Sequence, residues 1–399
     1  MLNILFVDDE PNILEGLKRM SRSMRREWRM SFAGSGREAL SMLAEEDFDI
    51  IVSDMKMPGM DGAELLKQTR EHHPQIVRIV LSGFAETEMI MKSVEQAHQY
   101  LAKPCDPGTL KSTVQRASSL HGMLTNNNLR TLIAEMRTVP SLPSLYSELM
   151  DELNSPEPSL RKVGAIVKKD IGMTVKILQI VNSAFFGLRR HISDPAESVK
   201  YLGLETVSSL ALAVGIFTQF ENKIENKQMV SQLWAHSATV ASTAKSIAEI
   251  ENRKTSIDAF TSGLLHDIGE VILAINLPEE VAKIQELVAQ NGMTKLEAER
   301  QVLGATHPDI GAYLLSTWGL PRAVVEAVAY HHDPCSYQHE SFSALTAVHV
   351  ADAFDEAKRF EPSEERGPEF DDQYLEKMGL AEKLPKWKEK CATCFDNEE

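Results

Sequence analysis

An adjacent histidine and aspartate, His266 and Asp267, lie inside an apolar run that has the periodicity of a helix. Burying such a pair costs free energy unless both side chains are hydrogen-bonded, paired or bound to a metal ion. Consecutive helical residues point about 100° apart, so the two side chains can still converge on one ion that lies between their directions. The pair is therefore the first candidate for a metal centre.

Further histidines and one aspartate follow in an ordered series through the same part of the chain. The full series is His236, His266-Asp267, His307, His331-His332 and Asp352. Neutral imidazoles and carboxylates are the ligands that Fe, Mn or Zn accept. A single histidine on a helix is usually a core residue or a cap, but the spacing here allows one helix for each ligand group. The series therefore predicts a metal-type pocket.

A second set of reactive groups occurs where the predicted strands of the first 120 residues end. Asp8 and Asp9 leave the first strand, Asp54 ends the third, Ser82 leaves the fourth and Lys103 leaves the fifth. In open parallel sheets, functional groups gather outside the carboxyl ends of the strands. Three carboxylates in one crevice repel each other unless a cation such as Mg²⁺ neutralises them. Lys103 and the Ser82 hydroxyl would be well placed to bind a phosphoryl group added to Asp54.

The elements that must position these groups differ between the two parts of the chain. Short apolar runs alternate with amphipathic segments in the first 120 residues, and strands are predicted at residues 3–7, 28–33, 49–54, 76–82 and 98–102. Helices are expected from residue 11, over 36–43 and from near residues 61, 86 and 106. This alternation predicts a parallel sheet with helices on both faces.

The chain after Pro143 shows helical periodicity and no alternating strand pattern. The clearest helical segments are residues 145–153, 160–170, 172–182, 195–202 and 204–217. We therefore expect one compact α-helical domain. Between the two parts, Gly122 and the three asparagines at 126–128 interrupt any continuous helix. A relay helix that shifts on phosphorylation and a simple connector are both compatible with residues 121–137.

Composition excludes several classes of protein. The chain has 399 residues and a formal net charge of −16, whereas a nucleic-acid-binding face needs a basic stripe. It contains no run of 18 or more uncharged apolar residues, so no membrane span is expected. The first apolar run is too short for a signal peptide, and four cysteines do not form a disulfide framework. These observations predict a cytoplasmic protein.

Four motifs in the first 120 residues share one pattern: Val7-Asp8-Asp9-Glu10, Asp54-Met55-Lys56-Met57-Pro58-Gly59-Met60-Asp61-Gly62, Leu81-Ser82-Gly83 and Tyr100-Leu101-Ala102-Lys103-Pro104. The set resembles the receiver domain of two-component response regulators. The resemblance implies a flavodoxin-like α/β fold, with a five-stranded parallel sheet in the order 2-1-3-4-5. It also implies that a sensor histidine kinase or a phosphotransfer protein phosphorylates Asp54.

The same resemblance assigns roles to the other residues of the motifs. Asp9, Asp54 and the backbone carbonyl of Lys56 would hold Mg²⁺, with Asp8 acting through water. Ser82 and Tyr100 match the switch hydroxyl and the switch aromatic residue of the family, and Lys103 matches its phosphate-contacting lysine. Receiver domains often dimerise, so we expect a homodimer through this domain that responds to phosphorylation.

Seven motifs in the second part share another pattern: Ser141-Leu142-Pro143, Val181-Asn182-Ser183-Ala184-Phe185-Phe186-Gly187, Val199-Lys200-Tyr201-Leu202-Gly203, Leu264-Leu265-His266-Asp267-Ile268-Gly269, Glu299-Arg300, Trp318-Gly319-Leu320-Pro321 and Tyr330-His331-His332-Asp333-Pro334. They resemble the HD superfamily of metal-dependent phosphohydrolases and, more closely, its HDOD (HD-related output domain) branch. The resemblance implies that His236, His266, Asp267 and Asp352 are core metal ligands. His307, His331 and His332 match the positions where HD-GYP cyclic-di-nucleotide phosphodiesterases add ligands.

The sequence departs from the HD-GYP pattern at two places. Glu270 stands where those enzymes have a lysine that faces the substrate phosphate, and a like charge there would weaken phosphate binding. The Gly-Tyr-Pro element after the paired histidines is absent. Both departures favour an output domain that signals by binding a protein partner or a nucleotide second messenger. A metal-dependent phosphohydrolase gated by the receiver domain is the alternative.

The expected organisation therefore has four parts. A receiver domain at residues 1–120 is followed by a linker or relay helix at 121–137, an HDOD domain at 138–355, and a helical extension and tail at 356–399. The predicted partners are the phosphodonor and the downstream protein or nucleotide. Neither a nucleic acid nor a membrane is expected as a partner.

Overall fold

The computed structural model describes residues 1–83, 97–103, 105–118, 129, 132–133, 143–153, 155–182, 191–213, 227–337, 341–359 and 370–395. The helix predicted from near residue 86, most of the junction at 121–137 and residues 214–217 of a predicted helix lie outside these ranges. So do residues 183–187 of one quoted motif, residues 141–142 of another, and Pro104.

The first part of the chain forms one five-stranded sheet. Its strands are β1 Leu2–Val7, β2 Trp28–Ala33, β3 Ile50–Asp54, β4 Val77–Gly83 and β5 Gln99–Lys103. All neighbouring strands run parallel, and their order in the sheet is β2-β1-β3-β4-β5. The predicted flavodoxin-like sheet is therefore confirmed.

Helices cover both faces of the sheet. They are α1 Pro11–Met20, α2 Gly36–Glu45, α3 Gly62–His72 and α4 Pro107–Ser118. Leu5 and Val7 of β1 pack into one apolar cluster. Ile4 and Phe6 pack into the cluster on the opposite face. Burial on both faces explains why β1 reads as a continuous apolar run, since an alternating pattern requires one solvated face.

The second part of the chain is helical, as predicted, and no strand occurs in the described residues after 118. Its helices are α5 Pro143–Leu153, α6 Leu160–Lys168, α7 Ile171–Val181, α8 Pro195–Ala213, α9 Lys227–Glu251, α10 Ser256–Leu265, α11 Ile268–Asn276, α12 Pro278–Asn291, α13 Lys295–Leu303, α14 His307–Thr317, α15 Arg322–Tyr330, α16 Ala344–Arg359, α17 Asp372–Lys377 and α18 Leu384–Phe395. Gly203 interrupts α8 with a φ of 79°, between the two segments predicted from the sequence. No described helix is both long and apolar enough to cross a membrane.

The carboxyl-terminal helices belong to the core of the helical domain. Trp387 of α18 is fully buried in an apolar cluster that also contains residues of α9 and α16. Its indole nitrogen donates a hydrogen bond of 3.1 Å to Glu251. Helix α16 runs without interruption through the predicted domain boundary between residues 355 and 356.

The receiver sheet contacts the helical domain along β5. The side-chain amide of Gln99 donates a hydrogen bond of 2.9 Å to the carbonyl of Thr317, at the end of α14. The amide of Gln179 on α7 donates a hydrogen bond of 3.1 Å to the carbonyl of His98. Gln99 and Gln179 are both buried, so these bonds lie within the contact between the two domains.

Candidate functional site

Three carboxylates meet at the carboxyl edge of the receiver sheet. β1 pairs with β3 so that Val7 lies beside Ser53, and the residues that follow them are therefore neighbours. Asp8, Asp9 and Asp54 each offer an oxygen within 4.8 Å of the others. The predicted acidic crevice is present, with the charge and donor type that suit a hard cation.

Lys103 neutralises part of this negative charge. Its ammonium nitrogen lies 2.7 Å from Oδ2 of Asp8 and 2.5 Å from Oδ1 of Asp54. Burial disfavours the charged form of Lys103, but hydrogen bonds and charge from Asp54 and Asp8 outweigh it and raise the pKa of Lys103. Burial raises the pKa of Asp54, and Lys103 only partly opposes that shift.

The loop after β3 is held close beneath Asp54. The amide of Gly62 donates a hydrogen bond of 2.9 Å to the carbonyl of Met55, and a Cβ at Gly62 would lie 2.1 Å from the Asp54 carbonyl oxygen. Only glycine fits there, because a side chain would collide with the Asp54 backbone. Tyr100 is buried on β5. Ser82 lies beside Ala102 in the sheet, but its side chain is outside the described part of the chain.

The His-Asp pair of the helical domain lies at a junction between two helices and not within one helix, as the sequence had suggested. Helix α10 ends at Leu265, and α11 begins at Ile268. Asp267 has a φ of −98° and a ψ of 18°, which interrupts the helical conformation. A Cβ at Gly269 would lie 2.0 Å from the carbonyl oxygen of His307, so the start of α11 touches the start of α14.

All seven predicted ligands of the helical domain converge. They are His236 on α9, His266 and Asp267 at the helix junction, His307 at the start of α14, His331 and His332 after α15, and Asp352 on α16. Asp267, His307, His331 and His332 form one group in which the potential ligand atoms lie within 4.8 Å of one another. His236, His266 and Asp267 form another such group. His266, His331 and Asp352 form a third such group. Asp267 is common to the first two groups, so its carboxylate could contribute to the binding of two ions.

The imidazoles are oriented by hydrogen bonds to their Nδ1 atoms. The partners are Asp355 for His236, at 2.6 Å, Gly263 for His266, at 2.8 Å, Glu299 for His307, at 2.9 Å, and Val328 for His331, at 2.8 Å. Metal-ligating histidines almost always use the second ring nitrogen in this way. The Nε2 atoms of these rings are left to face one another and the two aspartates.

Unpartnered atoms test whether the pocket fits a metal. Nε2 of His307, Nε2 of His331 and Oδ1 of Asp352 are buried and form no well-aligned hydrogen bond with the described residues, although each lies 3.2–3.6 Å from an imidazole or carboxylate atom. A buried polar group without a partner costs about 1–3 kcal/mol. Divalent ions would satisfy all three atoms, and imidazole with carboxylate is a donor set for Fe, Mn or Zn. The residues present therefore fit such a metal.

Charge in the pocket is unevenly distributed. Burial opposes the charged form of His236, but Asp267, Asp352 and Asp355 outweigh it and raise its pKa to about 12. Burial lowers the pKa values of His331 and His332.

Three residues near the pocket were not identified as site residues from the sequence. Glu299 and Asp355 orient ligands, while Lys295 contacts the carboxylate of Glu270. Lys295 and Glu299 are four residues apart on α13, so one helix face presents both. That spacing was a signal available in the sequence, although their partners, Glu270 and His307, lie on other helices.

A cavity of about 270 Å³ opens beside Glu270. Its walls are mostly apolar side chains of α11 and α12, and its polar residues include Glu270, Lys295 and Glu299. Because Glu270 lies 3.8 Å from Nε2 of His307, the cavity adjoins the ligand cluster.

Two family models match the chain. The response regulator receiver domain matches residues 4–115, and the HDOD domain matches residues 139–334. An uncharacterized protein of Treponema pallidum is 28% identical over 196 residues, which are 49% of this chain and 38% of that protein. Hydrogenase transcriptional regulatory protein HoxA of Cupriavidus necator is 36% identical over 154 residues, which are 38% of this chain and 30% of HoxA. The chain thus covers less than two thirds of either relative.

The chain also matches parts of solved structures. The MmoQ response regulator of Methylococcus capsulatus is 20% identical with a TM-score of 0.47, covering 63% of this chain and 97% of that chain. A virulence factor of Campylobacter jejuni is 19% identical with a TM-score of 0.49, and the match covers 68% of this chain and 98% of that chain. The family models decide the assignment: the chain belongs to the response regulators in which a receiver domain precedes an HDOD output domain.

Proposed function

We propose that this response regulator is phosphorylated on Asp54 and controls a metal-dependent phosphohydrolase in its HDOD domain. The observation that carries the proposal is the convergence of seven ligand residues into three overlapping groups, two of which share Asp267. The hydrogen bonds that orient the imidazoles, and the unpartnered Nε2 atoms, support it.

Each residue of the receiver site has a separate role in phosphorylation. Asp54 accepts the phosphoryl group from a sensor histidine kinase or a phosphotransfer protein. Asp9, Asp54 and the Lys56 carbonyl would hold Mg²⁺, with Asp8 acting through water. Lys103, already within 2.5 Å of Asp54, is placed to bind a phosphoryl oxygen. After phosphorylation of Asp54, Tyr100 and Ser82 would change position and so alter the face of the receiver domain that contacts the helical domain.

In the helical domain, each ligand group has its own supporting carboxylate. His236, His266, Asp267 and Asp352 would hold one divalent ion, supported by Asp355. Asp267, His307, His331 and His332 would hold the other, supported by Glu299. Such ions supply Lewis acidity and lower the pKa of bound water, which is the chemistry that phosphate-ester hydrolysis needs. The cavity beside Glu270 offers space for a substrate next to the cluster.

An output domain that binds a protein partner or a nucleotide second messenger without turnover is the second candidate. The absence of Gly-Tyr-Pro after His332 favours it, because Asp333 leads there directly into a short 3₁₀ turn at Pro334–Ser336. The charge of Glu270, in contrast, is compensated by Lys295. The charge argument against phosphate binding is therefore weaker than the sequence alone indicated.

The test of the output domain combines metal analysis with hydrolysis assays. Purified protein is expected to hold two Fe, Mn or Zn ions and to hydrolyse a phosphomonoester or a phosphodiester such as bis-p-nitrophenyl phosphate. Asp267→Ala should lose both ions and the activity, because this carboxylate belongs to both groups. The exposed Asp372 provides a matched control, and Asp372→Ala should retain both. Bound metal without turnover of any phosphate ester would support the second candidate instead.

The test of the receiver domain is direct labelling. Acetyl phosphate with Mg²⁺ should phosphorylate the wild-type protein and leave Asp54→Ala unlabelled. Equal labelling of the two proteins would contradict the assignment of Asp54.

A further inference from the structure

We infer that Lys295 is the residue that binds the phosphate group of the substrate, and that the rest of the substrate is a compact apolar group. The inference rests on the proposed function and adds the substrate class to it. It follows from the position of Lys295 between the ligand cluster and the cavity of about 270 Å³.

The first step concerns the charges around the cluster. Glu270 lies 3.8 Å from Nε2 of His307, where a negative charge would repel a phosphate. Lys295 contacts the Glu270 carboxylate and removes this net charge. Glu299, a second acid at this edge, is already committed, because His307 donates to it from both Nδ1 and the backbone amide. Lys295 can therefore contact a phosphate while it stays paired with Glu270, whereas Glu299 stays with His307.

The second step concerns access. The side chain of Lys295 is 47% exposed, whereas that of Glu270 is 7% exposed. Part of the Lys295 side chain is thus open to solvent, while its ammonium group lies against the Glu270 carboxylate at the edge of the cavity. A capping box between Thr294 and Glu297 fixes the start of α13, so the base of the Lys295 side chain is held in place while its end can move.

The third step concerns the shape of the substrate. The cavity places Lys295 and Glu270 near apolar walls that include Leu273, Ile284 and Val288. A cavity of about 150 Å³ holds one benzene molecule, and drug-sized ligands occupy about 300–1,000 Å³. A volume of about 270 Å³ therefore accepts one ring or a short chain. The expected substrate is a phosphate ester of a single-ring or short-chain alcohol.

The experiment is a calorimetric titration of the metal-loaded full chain with inorganic phosphate and with phenyl phosphate. A hydrogen bond to a charged group contributes about 1.5–3 kcal/mol. Lys295→Gln should therefore lower the affinity for inorganic phosphate and for phenyl phosphate by about 10- to 100-fold. Glu270→Gln should tighten both, because it frees the ammonium group. Val288→Phe narrows the cavity and should weaken phenyl phosphate alone. Lys283→Gln is the matched control, since Lys283 is exposed on α12 and does not line the cavity.

Metal content, measured for every variant, separates the two levels of the proposal. If metal-loaded Lys295→Gln binds inorganic phosphate as tightly as the wild type does, the role of Lys295 is wrong while the proposed function stands. If Val288→Phe leaves phenyl phosphate binding unchanged, the apolar part of the substrate does not occupy this cavity. A wild-type protein that holds no metal overturns the proposed function and this inference with it.

Discussion

The two supporting carboxylates provide the sharpest test of a two-ion centre, because each should affect one ion only. In Glu299→Gln the side chain keeps its volume but loses its negative charge beside His307. Both Glu299 oxygens lie within 3.0 Å of His307 Nδ1, and one also accepts the His307 amide at 2.8 Å. Two charge-assisted hydrogen bonds thus become neutral ones.

The size of the effect follows from those two bonds. A hydrogen bond to a charged group contributes about 1 kcal/mol more than a neutral one. Two bonds therefore give about 2 kcal/mol, or about a 30-fold loss of affinity for the ion held by His307. That factor lies within the roughly 10- to 100-fold loss that follows removal of a residue that orients a metal ligand. The ion held by His236 should keep its affinity.

Asp355→Asn should show the reverse pattern, because Asp355 bonds His236 at 2.6 Å. The assay is a competition titration against a chromophoric chelator that reports two affinities per chain. Glu376→Gln, an exposed carboxylate on α17, is the control and should match the wild type. If Glu299→Gln and Asp355→Asn lower the affinity for the same ion, or if neither lowers the affinity for any ion, the division into two ligand groups is wrong.

Three further predictions concern the receiver domain. In Mg²⁺-free buffer, Asp54→Asn should raise the Tm at pH 7, because the folded state disfavours the charged form of Asp54 and raises its pKa. Protonated Asp54 favours folding below its unfolded-state pKa of about 3.9. This stability is lost as the pH rises through the folded-state pKa. The Tm difference should therefore shrink in acid, and a constant difference would contradict the shift. Gln99→Ala should lower the free energy of unfolding in urea by about 1–3 kcal/mol, because the Thr317 carbonyl loses its donor; an unchanged urea midpoint would contradict this. Sedimentation should show a dimer that responds to acetyl phosphate, and an identical monomer with and without it would count against dimerisation.

Much of the receiver site could be predicted from the sequence because strand ends place residues by rule. Asp8 and Asp54 follow adjacent parallel strands, so their proximity follows from the sheet order alone. The metal-type pocket of the helical domain was predictable only from the ordered series of ligands. Its convergence depends on how separate helices pack, which periodicity does not determine.

The remaining features depend on tertiary contacts. No glycine or proline marks the break between His266 and Ile268, and the close approach of Gly269 to the His307 backbone accompanies it. Asp355 lies 119 residues after His236, and Lys295 lies 25 residues after Glu270. From the sequence alone, Asp355 and Lys295 could each have been a solvated surface residue. The pairing of Glu270 with Lys295 is therefore visible only in the folded chain.

The hydrogen bond from Gln99 to Thr317 determines what separation of the two domains would do. The final carbonyl groups of a helix have no partner within that helix, and the receiver strand supplies the donor for Thr317 at the end of α14. Cleavage between residues 118 and 143 would allow the receiver to leave and expose that end to water. Because α14 begins at His307, one helix carries a residue of the metal-type pocket at its start and the contact with the receiver strand at its end.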